Sequence, residues 1–339
     1  MIKTFWLFGM VYIFMMGCQQ DKIRQVRVVG PAPDTQEPVK IIFDTDMGPD
    51  YDDAGALTML HAFADQGEAD ILATMASNKH ELVAPVINLI NTYFGRPNIP
   101  IGVPKDTGGV HSTSSYKWPE MIVQHYPHRI QSNAEAPDAV ALYREILSQE
   151  ADQSVTIVTV GFLTNMANLL KSGPDAYSTL DGKALVQKKV EKLVVMGGRF
   201  PGGAEFNFQK DSLATQYMVE NWPTYIIFSG FEIGEKILTG DVLVTRDFEN
   251  NPIKDIYQFS FEKEEADARM SWDQTAVLVA VRGVSPYFDL KPGYCLVDEH
   301  GYSQWADSTT MHRYLIEKMP FQAVEDTIEK YMMHQPVLR

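Results

Sequence analysis

Five short runs rich in apolar and β-branched residues recur along this chain: "VKIIFD" from Val39, "ADILATMAS" from Ala69, "SVTIVTVG" from Ser154, "VEKLVVMGG" from Val190 and "TYIIFSG" from Thr224. Between them stand amphipathic stretches of helical period, among them "DDAGALTMLHAFAD" from Asp52, "LVAPVINLINTYFG" from Leu82 and "APDAVALYREILSQ" from Ala136. Strands that are apolar throughout must be covered on both faces, and strands separated by helices pair in parallel. The pattern therefore predicts an α/β fold, an open, mostly parallel sheet with helices on both faces. In such Rossmann-like sheets ligands bind beyond the carboxyl ends of the strands.

From Val39 onward there is no second linker, repeat or low-complexity tract, so residues 39–339 are read as one domain. With 45% hydrophobic and 22% charged residues the chain can fill a large core. A formal net charge of −15 argues against nucleic acid as a partner, because phosphate binding needs clustered Lys and Arg. Cys18 and Cys295 are the only cysteines, which excludes a disulfide framework and a cysteine metal site.

The first strand runs straight into "FDTDMGPDYDDAGAL", where Asp44, Asp46, Asp50, Asp52 and Asp53 fall within ten positions. Helix capping accounts for one or two such residues, not five. Carboxylates gathered in one loop raise one another's pKa and are unstable together without a cation among them. Their hard oxygens favour Ca²⁺ or Mg²⁺ over zinc. An EF-hand loop needs a preceding helix and a glutamate at its twelfth position, and neither is present. A phosphatase of the haloacid dehalogenase type expects Thr or Val where Gly48 stands.

"DTDMGPDYDDAGAL" resembles the N-terminal signature of the inosine-uridine nucleoside hydrolase family in its longer-loop form, DTDxGxDxDDxxAL. "SN" at Asn78, "VGFLTNMA" from Val160, "VVMGG" from Val194, "AEFN" from Ala204 and "WDQTAVL" from Trp272 follow in the family's order. The resemblance implies a Ca²⁺ ion at the pocket floor and hydrolysis of an N-glycosidic bond to ribose. It implies Asp46, Asp53, Asp273 and the carbonyl of Val160 as metal ligands, with Asp46 also the catalytic base. Asp52, Asn78, Glu205 and Asn207 match positions that hold ribose hydroxyls. The longer loop leaves Asp50 as the alternative to Asp46 as base and to Asp52 as sugar ligand. Family members are dimers or tetramers, which leaves a homo-oligomer open.

Cleaving a ribosyl bond passes through an oxocarbenium-like sugar, so the site must hold hydroxyls, deliver an activated water and help the base to leave. Two departures bear on that chemistry. "GGRFPGGAEFN" is short and lacks an asparagine that many members carry before "AEFN", and Trp272 stands where many carry His. Trp has no titratable proton to give but can stack on a base, so Trp272 joins the substrate-binding candidates. The rival reading is a catalytically impaired, metal-dependent ribose- or nucleoside-binding lipoprotein. His80 and His111 stand near expected pocket loops, and surface roles are favoured for both; His61, on a helical face, reads as structural. Met196 reads as core rather than pocket. Residues 105–118 have the composition of a mobile flap whose Tyr116 or Trp118 could close over a base.

At the N-terminus, Lys3 precedes the apolar run "FWLFGMVYIFMMG", which is too short to span a bilayer. Gly17-Cys18 resembles a bacterial lipobox. The expectation is a lipoprotein signal peptide over 1–18, a flexible tether over 19–38 with three prolines, and a lipid-anchored location in the cell envelope.

Overall fold

The computed structural model describes residues 37–105, 109–308 and 310–337. The expected signal peptide over 1–18, with Cys18, and residues 19–36 of the expected tether lie outside the described residues. Among the described residues no helix is long and apolar enough to cross a membrane.

Among the described residues the strands in chain order are β1 (Val39–Thr45), β2 (Ala69–Ala76), β3 (Ile101–Gly102), β4 (Val155–Thr159), β5 (Val190–Met196), β6 (Gly202–Gly203), β7 (Tyr225–Ser229), β8 (Leu238–Thr239), β9 (Arg269–Met270), β10 (Phe288–Val297), β11 (Ser303–Ala306) and β12 (His312–Glu317). Ten form one sheet in the order β3-β2-β1-β4-β5-β7-β12-β10-β11-β6, while β8 and β9 pair separately. Strands β3 through β12 of that order are parallel, and β10, β11 and β6 extend the sheet antiparallel. All five apolar runs are parallel strands, as the alternation predicts. The antiparallel extension carries no such signal, because β10 holds Pro292, Gly293 and polar residues and is only half-covered.

Side chains alternate between two cores, as the two-residue period of a strand requires. Ile41 and Phe43 of β1 face one core and Ile42 faces the other. Val158 of β4 and Val194 of β5 join the first; Ile157, Leu193 and Val195 join the second. The first core is closed by the helices Asp52–Asp65, Val83–Tyr93, Trp272–Arg282 and Phe321–Met332, the second by Ala139–Gln149, Thr164–Lys171 and Ser212–Asn221. Helix Asp52–Asp65 is buried from Asp52 to Phe63, sandwiched between the sheet and neighbouring helices, which explains its almost uniformly small and apolar sequence.

Chain order reverses at β1. Connections leave it toward β2 and β3 on one side and toward β4, β5 and β7 on the other. The segments that follow β1 and β4 therefore leave for opposite faces of the sheet, toward the helices Asp52–Asp65 and Thr164–Lys171, and the crevice between them is where this class of sheet takes its ligand. The Val160 N–H donates to the Asp44 carbonyl at 2.8 Å and ties the end of β4 to that of β1, and the Ser77 N–H donates to the Thr45 carbonyl at 2.8 Å and ties the end of β2 to that of β1. These ends come so close that a Cβ on Gly161 would sit 2.4 Å from the Asp46 nitrogen and 2.5 Å from the Ser77 hydroxyl.

Gly161→Ala is therefore expected to push the acidic loop away from β4 and to cost about 1–3 kcal/mol, the usual range for overpacking. Urea unfolding of the variant beside the parent checks this; equal midpoints would show that the loop yields freely.

Candidate active site

Three segments carry carboxylates into the crevice. The loop after β1 brings Asp46 and Asp50; the helix Asp52–Asp65 begins with Asp52 and Asp53; the helix Trp272–Arg282 brings Asp273 in its first turn. Both helices direct their free N–H groups and positive dipole ends toward the acidic residues. The Asp273 N–H points at Asp52 Oδ2, 3.4 Å away. The loop is pinned from below: the Trp118 indole donates to the Asp50 carbonyl at 3.0 Å, and Tyr51 is buried edge-on against Tyr257.

These residues surround a cavity of about 230 Å³ lined by Asp46, Asp50, Asp52, Val160, Met196, Glu205, Phe206, Asn207, Phe231, Arg269, Trp272 and Asp273. Its size suits a small ligand, being under the roughly 300 Å³ of drug-sized sites. Of the twelve lining residues, five are carboxylates and one, Arg269, is a cation. Burial raises Asp46, Asp53 and Asp273 well above the usual carboxylate range, and neighbouring aspartates add repulsion. Burial also pushes Asp52 up to about 7, with Asp50 adding to the rise and Arg269 opposing it.

Asp53 Oδ1 accepts from the Thr45 hydroxyl, while its Oδ2 is buried without a partner. Oxygens of Asp50, Asp52 and Asp53 lie within 4.8 Å of one another, and Asp46 and Asp273 line the same cavity. Orphaned, mutually repelling oxygens of this kind fit a hard divalent cation. The tightest trio is thus not the set that the resemblance implies, since it includes Asp50 and Asp52 in place of Asp46 and Asp273.

Arg269, on β9, escaped the sequence analysis. Its Nε and Nη2 donate to Asp52 Oδ1 at 3.3 and 3.0 Å, and Nη2 lies 2.7 Å from Asp50 Oδ2. The guanidinium is stacked between the rings of Tyr51 and Trp272, 4.8 and 5.1 Å from their centroids. Phe231 and Phe206 were missed too. Phe231 follows the carboxyl end of β7, the position from which any strand of such a sheet reaches the crevice, and that signal was available.

The opposite wall comes from "AEFN". Glu205 caps the helix Phe206–Lys210, accepting from the Asn207, Phe208 and Gly198 N–H groups at 2.8, 3.1 and 3.0 Å. Burial still pushes its carboxyl up to about 7. The Asn207 amide donates to the Val160 carbonyl at 2.9 Å, so this carbonyl faces the cavity.

Other expected residues sit differently. Asn78 is buried outside the cavity lining with both ends of its amide engaged: it donates to the carbonyls of Asp46 and Ser112 and accepts from the N–H groups of His80 and Ser112. That leaves it no capacity for a sugar hydroxyl. Trp118 is not part of a closing flap, because it starts the helix Trp118–His125 and is 1% exposed beneath the acidic loop. Tyr116 is exposed, and residues 106–108 of the expected flap lie outside the described residues. Met196 belongs to the core but also forms cavity wall, which corrects its assignment to core alone.

His80 and His111 face each other with ring centroids 5.5 Å apart, and neither lines the cavity. His61 is buried against Asn91, with its pKa pushed down to about 3 by burial, in keeping with a structural role. Trp272 does form cavity wall, tilted against Phe231 at 5.0 Å, with its indole N–H donating to the Phe231 carbonyl at 3.0 Å. Gly234 permits that approach: a Cβ there would lie 2.5 Å from Trp272 Cα.

Comparison with known proteins agrees with this geometry. Residues 41–322 match the family model described as inosine-uridine preferring nucleoside hydrolase. The chain is 27% identical to the non-specific ribonucleoside hydrolase RihC of Escherichia coli over 290 residues, 80% of this chain and 87% of that one. It is 28% identical to the pyrimidine-specific ribonucleoside hydrolase RihA of Salmonella paratyphi B over 249 residues, 66% of this chain and 73% of that one. An inosine-uridine preferring nucleoside hydrolase from Bacillus anthracis shares the fold with a TM-score of 0.66 at 15% identity, covering 87% of this chain and 99% of that one. The carboxylate-lined crevice at the head of β1 and β4 thus belongs to a chain that is a member of the inosine-uridine preferring nucleoside hydrolase family, a family of N-glycosyl hydrolases.

Proposed function

We propose that the protein hydrolyses the N-glycosidic bond of ribonucleosides or a related N-riboside in a calcium-dependent reaction, giving ribose and free base. One observation carries this reading: Asp46, Asp52, Asp273, Glu205, Asn207 and the Val160 carbonyl converge on a single small cavity at the switch point of the sheet.

Asp46, Asp53, Asp273 and the Val160 carbonyl would hold the metal. Bound there, Ca²⁺ supplies an anchor for the sugar diol and lowers the pKa of the attacking water. Asp46 takes the proton of that water. Asp50 is the weaker alternative as base, because it is ion-paired with Arg269 and its side chain is 38% exposed. Asp52, Glu205 and Asn207 hold ribose hydroxyls, and the carboxylates stabilise the positive charge that develops on the sugar. Asn78 acts at one remove, fixing the backbone of Asp46. The rival, a metal-dependent binding protein without turnover, is favoured only by Trp272, whose N–H is already spoken for.

For location we propose a lipid anchor at Cys18 in the cell envelope, supported by the charged start, the apolar run and Gly17-Cys18. Cys18→Ser is expected to leave an unprocessed precursor or to release the protein from the membrane fraction. Normal processing with unchanged attachment, followed by fractionation and mass analysis, would refute the anchor.

Purified protein is expected to carry one Ca²⁺, and its removal by chelator to abolish release of reducing sugar. Bound metal at a hundredfold excess over its Kd stabilises the fold by about 2.7 kcal/mol, so Tm should fall on stripping. Asp46→Asn and Asp273→Asn should each lose metal binding or turnover. A stripped protein that keeps full activity would end the calcium reading.

The metal-free protein should also respond to pH in a defined direction. Asp52 and Glu205 are raised to about 7 from ordinary values of 3.8 and 4.5. The folded state therefore holds protons that the unfolded chain releases. Their stabilising effect is complete below about pH 4 and is lost as pH rises through about 7, so Tm should drop between about pH 5 and about pH 8. Calorimetry without metal tests the sign; a Tm that rises over this window would contradict it.

A further inference from the structure

Hydrolysis as proposed above leaves one requirement without a group. The departing base takes the electron pair of the C1′–N bond, and something must stabilise that charge. The side-chain donors of the cavity wall can be taken in turn. The Trp272 N–H is committed to the Phe231 carbonyl. The Asn207 amide donates to the Val160 carbonyl and toward the Met196 carbonyl and sulfur. His80 and His111 are not among the lining residues.

Arg269 remains. Its Nε and Nη2 are taken by Asp52 and Asp50, but Nη1 has no hydrogen-bond partner among the described residues. Two ion pairs and two stacked rings, Tyr51 and Trp272, hold the guanidinium in place, so its orientation is set before any ligand arrives. Arg269 lines the same cavity as Glu205, Asn207 and Asp273, so its uncommitted nitrogen belongs to the wall that a bound nucleoside would meet.

We propose that Arg269 is a catalytic residue that hydrogen-bonds the leaving base through Nη1 and stabilises its negative charge, in place of a titratable acid. The assignment rests on the N-riboside hydrolase reading. In the step, the water oxygen bonds to C1′ while the C1′–N bond breaks and its electron pair leaves with the base. The water proton goes to the Asp46 carboxylate. The base departs as an anion that accepts a hydrogen bond from Nη1–H, and solvent protonates it after release. Arg269 transfers no proton, because a guanidinium keeps its charge throughout the working pH range.

The test uses the calcium-loaded full-length protein as wild type, R269Q and R269K. Each is assayed for kcat/KM on inosine and uridine and on a riboside whose nitrophenolate departs unaided. Losing one preorganised donor typically costs about 10²- to 10³-fold, so R269Q should lose that much more on the nucleosides than on the activated riboside. Equal losses on both would overturn the proposal and leave Arg269 as a positioning residue for Asp52; undiminished nucleoside turnover in R269Q would overturn it too. If R269Q does not fold, R269K keeps a cation for Asp50 and Asp52 but loses the planar fork. Its nucleoside-to-activated ratio should then fall below wild type, and an unchanged ratio would overturn the proposal. A wild type that cleaves neither substrate ends the hydrolase reading itself, and with it the role of Arg269.

Discussion

Repulsion among desolvated carboxylates is the constraint around which this site is organised. Asp46, Asp52, Asp53 and Asp273 are all nearly inaccessible to water, and each raises the cost of ionising the others. A fold tolerates such a group only by surrounding it with fixed positive potential. Here two helix N-termini, the Arg269 guanidinium and the Thr45 hydroxyl share that task. The remaining imbalance, expressed in the orphaned Asp53 oxygen, is what fits the crevice to a cation rather than to the role of an acidic turn alone.

The scaffold turns that local problem into geometry. One sheet with a core on each face brings the loops after β1 and β4 within van der Waals distance, so Val160, which lines the cavity, and the aspartates cannot drift apart independently. The aromatic side is a stack in its own right: Arg199 lies over Phe231, Phe231 leans on Trp272, and Trp272 backs Arg269. Such alternation of cations and rings gives a rigid wall on a loop-built site, where flexible polar side chains would have to be ordered on binding.

Much of this was readable in the sequence because it follows from periodicity and crowding. Apolar strands between helices specify a parallel sheet, and five aspartates after the first strand mark the ligand end. Apart from Phe231, what escaped had no local signature. Arg269 lies in a two-residue strand, and its meaning depends on Asp50 and Asp52 some two hundred positions earlier. Trp118 sits in a stretch whose Gly and Ser content suggests a flap, yet it is buried because the acidic loop needs a donor beneath its Asp50 carbonyl. Met196 reads as core since half of its environment is core.

Asn78 carries a different lesson. It bridges the floor of the site at Asp46 to the rim segment at Ser112 using two donors and two acceptors at one short reach. Asp lacks the donors, Ser lacks the span and Gln is longer by a methylene. The position is therefore chemically monogamous, and an asparagine there reports that the loop architecture is intact. It is silent on turnover. A relative stripped of its catalytic machinery would still need that asparagine to keep floor and rim joined, so motif persistence at this point measures architecture, whereas the residue paired with Asp50 measures chemistry.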